Sequence, residues 1–312
     1  MKNTIKTFAL FLTAGAMLAS CDSYLDRQPD EPLTSDNIFK KQKTTLQYLT
    51  NIYSYQPDYE APACVSSNDD IPWEACSDET SFAYLDRSYT QINYNSWNPS
   101  MYLYRNDTYN TPYKGIREAN YFMQHVHECP ELTDTDKGYY YNEARFLRAH
   151  FYAMMLPVYG PVFLIGDDPV DFTQSGLDQR ERNTWDECVN YVANELWEAA
   201  KGLPDSWPDI YYGRATKGAA LAARARLLLY SARKLFNGNE LYKGIVNRNG
   251  DHLFPTQYDE KKWELAAQAA KDVMNLNLYS LVGADGTDPY ASFNTLFTSV
   301  GSGTGGATEK IY

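Results

Sequence analysis

The run TKGAALAARARLLLYSARKLF, residues 216–236, carries alanine at 219, 220, 222, 223 and 225, so a helix built from it lets a neighbouring backbone approach closely. Asn237-Gly238 is expected to terminate it. The segment before it, from Thr184, opens with Thr-Trp-Asp-Glu, a capping box, and continues with Cys188, Val189, Val192, Leu196 and Ala199 at a 3.6-residue period until Gly202 and Pro204. A large residue on one helix facing small residues on the next is the logic of stacked helical hairpins. The pattern recurs. Thr111-Pro112 opens a helix with Ile116, Ala119, Met123 and Val126 on one side, and Thr133-x-x-Asp136 caps another from about Lys137 to Leu156, expected to stop at Pro157. A last stripe runs through Trp263, Ala266, Ala267, Ala270, Val273 and Met274. Tyr113, Trp185 and Trp263 each stand near a helix start, 72 and 78 residues apart, and Trp185 and Trp263 are expected in the core. These intervals exceed the usual repeat of such hairpins, so loops must be inserted between pairs. Helix pairs with long insertions would make a scaffold carrying a binding surface.

One insertion stands out. A first helix is expected from Thr34–Asp36 to about Tyr53, with Ile38, Leu46, Leu49 and Ile52 apolar. The 56 residues from Tyr55 to Asn110 then lack helical period and contain Pro57, Pro62, Pro72 and Pro99, yet hold eight tyrosines and two tryptophans. So many aromatics argue against disorder and for function.

The N-terminus sets the compartment. Lys2 and Lys6 precede an apolar run from Phe8 to Ala19, too short to span a bilayer but laid out as a secretory signal. Leu18-Ala19-Ser20-Cys21 has the form of a lipoprotein processing site, with Cys21 as the lipidated mature N-terminus; an ordinary signal peptide with a chance cysteine is the alternative. Residues 1–20 are then a leader, 21–33 a tether, and 34–312 the helical region. Several acyl chains anchor a soluble body stably to a membrane.

The formal charge is −12, and loss of Lys2 and Lys6 with the leader makes it −14. Such a surface repels nucleic acid and anionic polymers and favours a neutral ligand. Outside the cytoplasm a disulfide is permitted, and Cys64 with Cys76 is the candidate pair because both lie in one non-helical region; Cys188 reads as a small buried hydrophobe.

At YNEARFLRAHFYAMMLPVYGPVFLI, residues 141–165, and GRATKGAALAARARLLLYSA, residues 213–232, the chain resembles the SusD/RagB family of surface glycan-binding lipoproteins. CDSYLDRQPDEPLT at the anchor, YKGIREANYFM and WDECVNYVANELWEAAKGLP match in the family's order. The resemblance implies an all-α fold of tetratricopeptide-like helix pairs in a superhelical scaffold with long loop insertions. It also implies display on the outer face of an outer membrane, over a SusC-like TonB-dependent transporter to which glycans or other nutrients are delivered. GPVFLI lacks a proline common near that position in the family, and the chain stops at EKIY, where family members continue, so it is expected to be a fragment truncated at its C-terminal side.

A neutral glycan site wants flat aromatics against the C–H faces of sugar rings and amides, carboxylates or guanidinium groups at their edges. YLDRSYTQINYNSWNPSMYLY supplies Tyr84, Arg87, Tyr94, Trp97 and Asn98, with Trp73 upstream, and the family contributes ligand contacts from a comparable region. These six residues are the expected glycan contacts, with Trp97 the leading platform. The competing reading buries the same aromatics in a small core beneath the insertion.

No catalytic or metal constellation emerges, and no cofactor is expected. His125 and His127 lie two residues apart, about 200° around a helix, and cannot chelate one ion from one face. DTDKGYYYNE places Tyr139 where a calcium loop needs glycine, and GSGTGG at 301–306 lacks the Lys-Ser/Thr and helix of a phosphate loop. Glu143, Arg145 and Arg148, inside an otherwise apolar helix, are expected to form internal pairs or to satisfy helix ends. Two rival functions remain: a helical-repeat lipoprotein acting only through protein or peptide partners, and a lipoprotein glycosidase.

Overall fold

The computed structural model describes residues 35–56, 77–78, 92–96, 98, 109–167, 180–283, 286 and 288–298. Eight α-helices lie among the described residues: α1 Ser35–Ile38, α2 Gln42–Tyr53, α3 Asn110–His125, α4 Asp134–Tyr159, α5 Trp185–Gly202, α6 Lys217–Ala232, α7 Lys261–Met274 and α8 Pro289–Thr298. None of them is long and apolar enough to cross a membrane. No strand occurs there beyond a single bridge between Val246 and His252.

From α3 to α7 each helix packs on the next, while α2 lies against α3 and α4. The pairs run antiparallel, since Gly115 near the start of α3 meets Phe151 late in α4, and Gly202 at the end of α5 meets Asn142 near the start of α4. One core of Ile116, Phe122, Phe146, Phe151, Trp185, Leu196 and their neighbours runs through these interfaces. This is the expected all-α arrangement of tetratricopeptide-like hairpins.

The caps explain where helices start. Thr133 accepts from the Asp136 amide at 3.1 Å, and at α5 the box is complete: Thr184 Oγ1 accepts from Glu187 N, while the Glu187 carboxylate accepts from Thr184 N at 2.7 Å. These contacts satisfy amides that have no partner within the helix. They also hold the Glu187 carboxyl below the usual range.

Several expected boundaries move. The first helix is two, with Phe39 between them buried among Tyr48, Tyr121, Phe122 and His125, and the Thr44 hydroxyl donates to the Ile38 carbonyl at 2.6 Å. Helix α3 begins at Asn110 after Tyr109, with no side-chain cap. Helix α4 runs through Pro157, since only one carbonyl loses its partner so near the end, and stops at Gly160. There φ is +69° and a Cβ would lie 2.9 Å from the Phe254 ring, so glycine is required. Helix α6 ends at Ala232, not at Asn237-Gly238. Buried Asn237 instead donates to the Ala232 and Asp259 carbonyls and accepts from Asp259 N, stapling the chain that enters α7.

Trp185 is fully buried, stacked 4.0 Å from Phe236, with its indole N–H donating to Ser231 Oγ at 3.0 Å. Trp263 is not in the core. It is 40 % exposed, its N–H donating to Tyr258, because α7 docks on α6 through Ala266 and Ala269. Of the expected stripe, Ala266 is buried and Val273 packs against the core, while Ala267, Ala270 and Met274 face outward.

Candidate glycan-binding surface

The helices carry two internal ionic clamps that fix the loops between them. In the first, Arg214, just before α6, forks onto Glu143 of α4 through Nε at 2.8 Å and Nη2 at 2.5 Å. The Tyr53 hydroxyl donates to the same carboxylate and accepts from Ala215 N, so α2, α4 and the α5–α6 connection meet at one group. Burial pushes the Glu143 carboxyl up, against the opposing pull of Arg214 and Tyr53. In the second, Arg145 and Arg148 of α4 converge on Glu195 of α5 at 2.7 and 2.5 Å. Arg148 also donates to Asn120 of α3 at 2.6 Å and pairs with Asp167. Although burial works in the other direction, the two guanidinium groups hold the Glu195 carboxyl below its usual range. The expectation of internal pairs for Glu143, Arg145 and Arg148 is borne out.

The first clamp also presents aromatics. The Arg214 guanidinium lies 4.1 Å from the Trp207 ring centre, 4.9 Å from Tyr140 and 5.2 Å from Tyr211, and the Trp207 N–H donates to the Ala215 carbonyl at 2.7 Å. Next to this fixed base, Ile210 and Tyr212 stand largely in solvent.

Within the long insertion, Ile92 and Asn93 are helical and Tyr94–Asn95 turn, with Asn95 N donating to the Ile92 carbonyl at 3.0 Å and Asn95 at φ +55°. Asn93 Nδ2 reaches the Ser77 carbonyl at 3.4 Å. Tyr94 is 62 % exposed, and Asn98 is exposed as well. For Tyr94 the burial reading is therefore excluded.

A sequence model described as starch-binding and associating with the outer membrane, that of the SusD-like family, matches residues 23–229. The chain belongs to the SusD-like family. Its fold is similar to several solved structures. BT4246 superposes with a TM-score of 0.65 at 26 % identity, over 85 % of this chain and 44 % of that one. A SusD-like protein from Bacteroides fragilis gives 0.62 at 22 % identity, over 86 % and 44 %. Surface glycan-binding protein A from Bacteroides uniformis gives 0.56 at 16 %, over 77 % and 48 %, a likeness of fold. The chain thus spans less than half the length of these relatives. No curated protein matches it.

Of the six expected contacts in this SusD-like chain, Tyr94 and Asn98 are accessible in one short stretch. Trp73, Tyr84, Arg87 and Trp97 lie outside the described residues, as do Cys21, Cys64 and Cys76. Cys129 and Cys188 are free and buried, and burial pushes the Cys188 thiol up to about 11. Among the described residues no group of three or more His, Cys, Asp or Glu is placed to hold a metal. The WPDIYYGR loop was not singled out from sequence. Its signal was present nonetheless, three large aromatics in a proline- and glycine-bounded connection.

Proposed function

We propose that this SusD-like chain captures a neutral oligosaccharide or polysaccharide on the aromatic surface of its long insertion and delivers it to a SusC-like TonB-dependent transporter, without catalysing a reaction. The observation that carries the reading is Tyr94, an aromatic ring of the insertion that stands in solvent rather than in a core. Trp97, Asn98, Trp73, Tyr84 and Arg87 complete the proposed contacts. Lipidation of Cys21 would hold the body at the cell surface, in keeping with a family described as associating with the outer membrane. Two structural neighbours bear names that fit, a laminarin-binding SusD-like protein and a surface glycan-binding protein. The net charge of −12 favours an uncharged cargo.

The test is calorimetric titration of the ectodomain with starch oligosaccharides and laminarin. Tyr94→Ala is expected to weaken binding about tenfold, the equivalent of ~1.4 kcal/mol, with far-UV circular dichroism unchanged. Equal affinity in Tyr94→Ala and Trp97→Ala would remove the proposed platform. Co-purification of a barrel partner with no response to either glycan would favour the protein-partner reading instead.

A further inference from the structure

Trp197 and Trp185 lie on the same helix with opposite fates. Trp185 is fully buried, whereas Trp197 is 37 % exposed and opens onto a cleft of about 350 Å³ between α5 and α7, with α6 between them. The volume falls at the small end of the roughly 300–1,000 Å³ that ligand sites occupy, enough for one ring and not for a chain. Leu221 and Leu276 line the cleft beside the indole, and Lys201, Lys217, Asp272 and Asn275 supply its polar groups.

Charge within the cleft is matched. Lys201 pairs with Glu198 at 2.5 Å, Lys217 with Asp205 at 2.6 Å, and Arg224 with Asp272 at 3.0 Å. An ionic ligand would have to displace one of these partners. Asp272 is held from two sides, since Gln268 Nε2 donates to its other oxygen at 3.0 Å, and the Arg224 guanidinium and the Lys201 ammonium lie over the Trp197 ring, 5.0 and 5.8 Å from its centre. The carboxylate keeps lone pairs to accept hydroxyl protons, the ammonium groups donate, and the Asn275 amide does both. A partly exposed indole among matched donors and acceptors suits a ring that is apolar on its face and hydroxylated at its rim.

We infer that the α5–α6–α7 cleft is a second carbohydrate subsite, remote in sequence from the insertion, which takes a single neutral hexopyranose ring. This rests on the glycan-binding reading above. The test follows the six indole N–H signals of the full chain by nuclear magnetic resonance, with that of Trp197 assigned by Trp197→Phe. D-Glucose, D-galactose and D-mannose are each added to about 100 mM, which populates even a millimolar site. The expected result is a saturable shift of the Trp197 signal with at least one sugar, retained in Tyr94→Ala and weakened about threefold or more in Asn275→Ala. A Trp197 signal that stays still with all three, or drifts without saturation, would overturn the subsite. Tyr94-dependent glycan binding with an unmoved Trp197 signal would sink this inference and leave the principal function standing. Loss of Tyr94-dependent binding with a saturable Trp197 shift would do the reverse.

Discussion

Gly115→Ala sets two effects of opposite sign against each other. Replacing a glycine inside a helix by alanine should stabilise by about 1 kcal/mol, because the chain loses less backbone freedom on folding. At this position, however, the new Cβ would lie 2.5 Å from Phe151 Cε2 and 2.7 Å from Cζ. Reaching an ordinary contact of 3.4 Å requires the ring edge to retreat by about 0.9 Å. The ring is rigid and fully buried, so α3 and α4 must separate or Phe151 must leave its rotamer. Overpacking of this kind costs about 1–3 kcal/mol, which outweighs the propensity gain and leaves a net loss of up to ~2 kcal/mol. Urea unfolding followed by circular dichroism should show a lower midpoint at unchanged slope. In the double variant with Phe151→Leu, the smaller side chain makes room, and the two effects should couple favourably by about 1 kcal/mol. A raised midpoint for Gly115→Ala alone, or strict additivity in the double variant, would refute the close α3–α4 approach.

Two further outcomes test the clamps and caps. Because the folded Glu195 carboxyl sits below its ordinary value of 4.5, its contribution to stability is present above that value and lost as pH falls through the folded one. Midpoints measured from pH ~6 to ~3 should therefore fall more steeply for the native chain than for Glu195→Gln, which already lacks about 3 kcal/mol at neutral pH by leaving Arg145 without its carboxylate and Arg148 with Asp167 alone. Parallel curves would show that the carboxylate is not held in its charged form. Thr184→Ala removes the acceptor for the Glu187 amide and should cost about 1 kcal/mol in thermal or urea unfolding. No loss would mean that water serves that amide equally well.

Where a signal is local, it was readable from residues alone. Thr133 and Thr184 cap because hydroxyl and amide lie within three residues of each other. Cys188 and Trp185 sit on a stripe that is apolar all along α5, and both are buried. Partners of Glu143, Arg145 and Arg148 were foreseeable as a need but not by name, since Arg214 and Glu195 stand about 50 to 70 residues away in sequence. The exposed Tyr94 lay in a segment already marked for its aromatics, while Trp197 carried no sign of its cleft. An indole at a helical position looks the same whether its neighbours close over it or leave a gap.

From its sequence alone this protein is a set of capped amphipathic helices with one aromatic insertion and a lipoprotein-like start, because capping, periodicity and charge act over a few residues. Only the tertiary structure decided that the first helix is split at Phe39, that α4 passes Pro157, that Trp263 faces outward and that Trp197 lines a cleft. Each of these depends on which surface docks against which, and docking is settled by the shapes of distant segments.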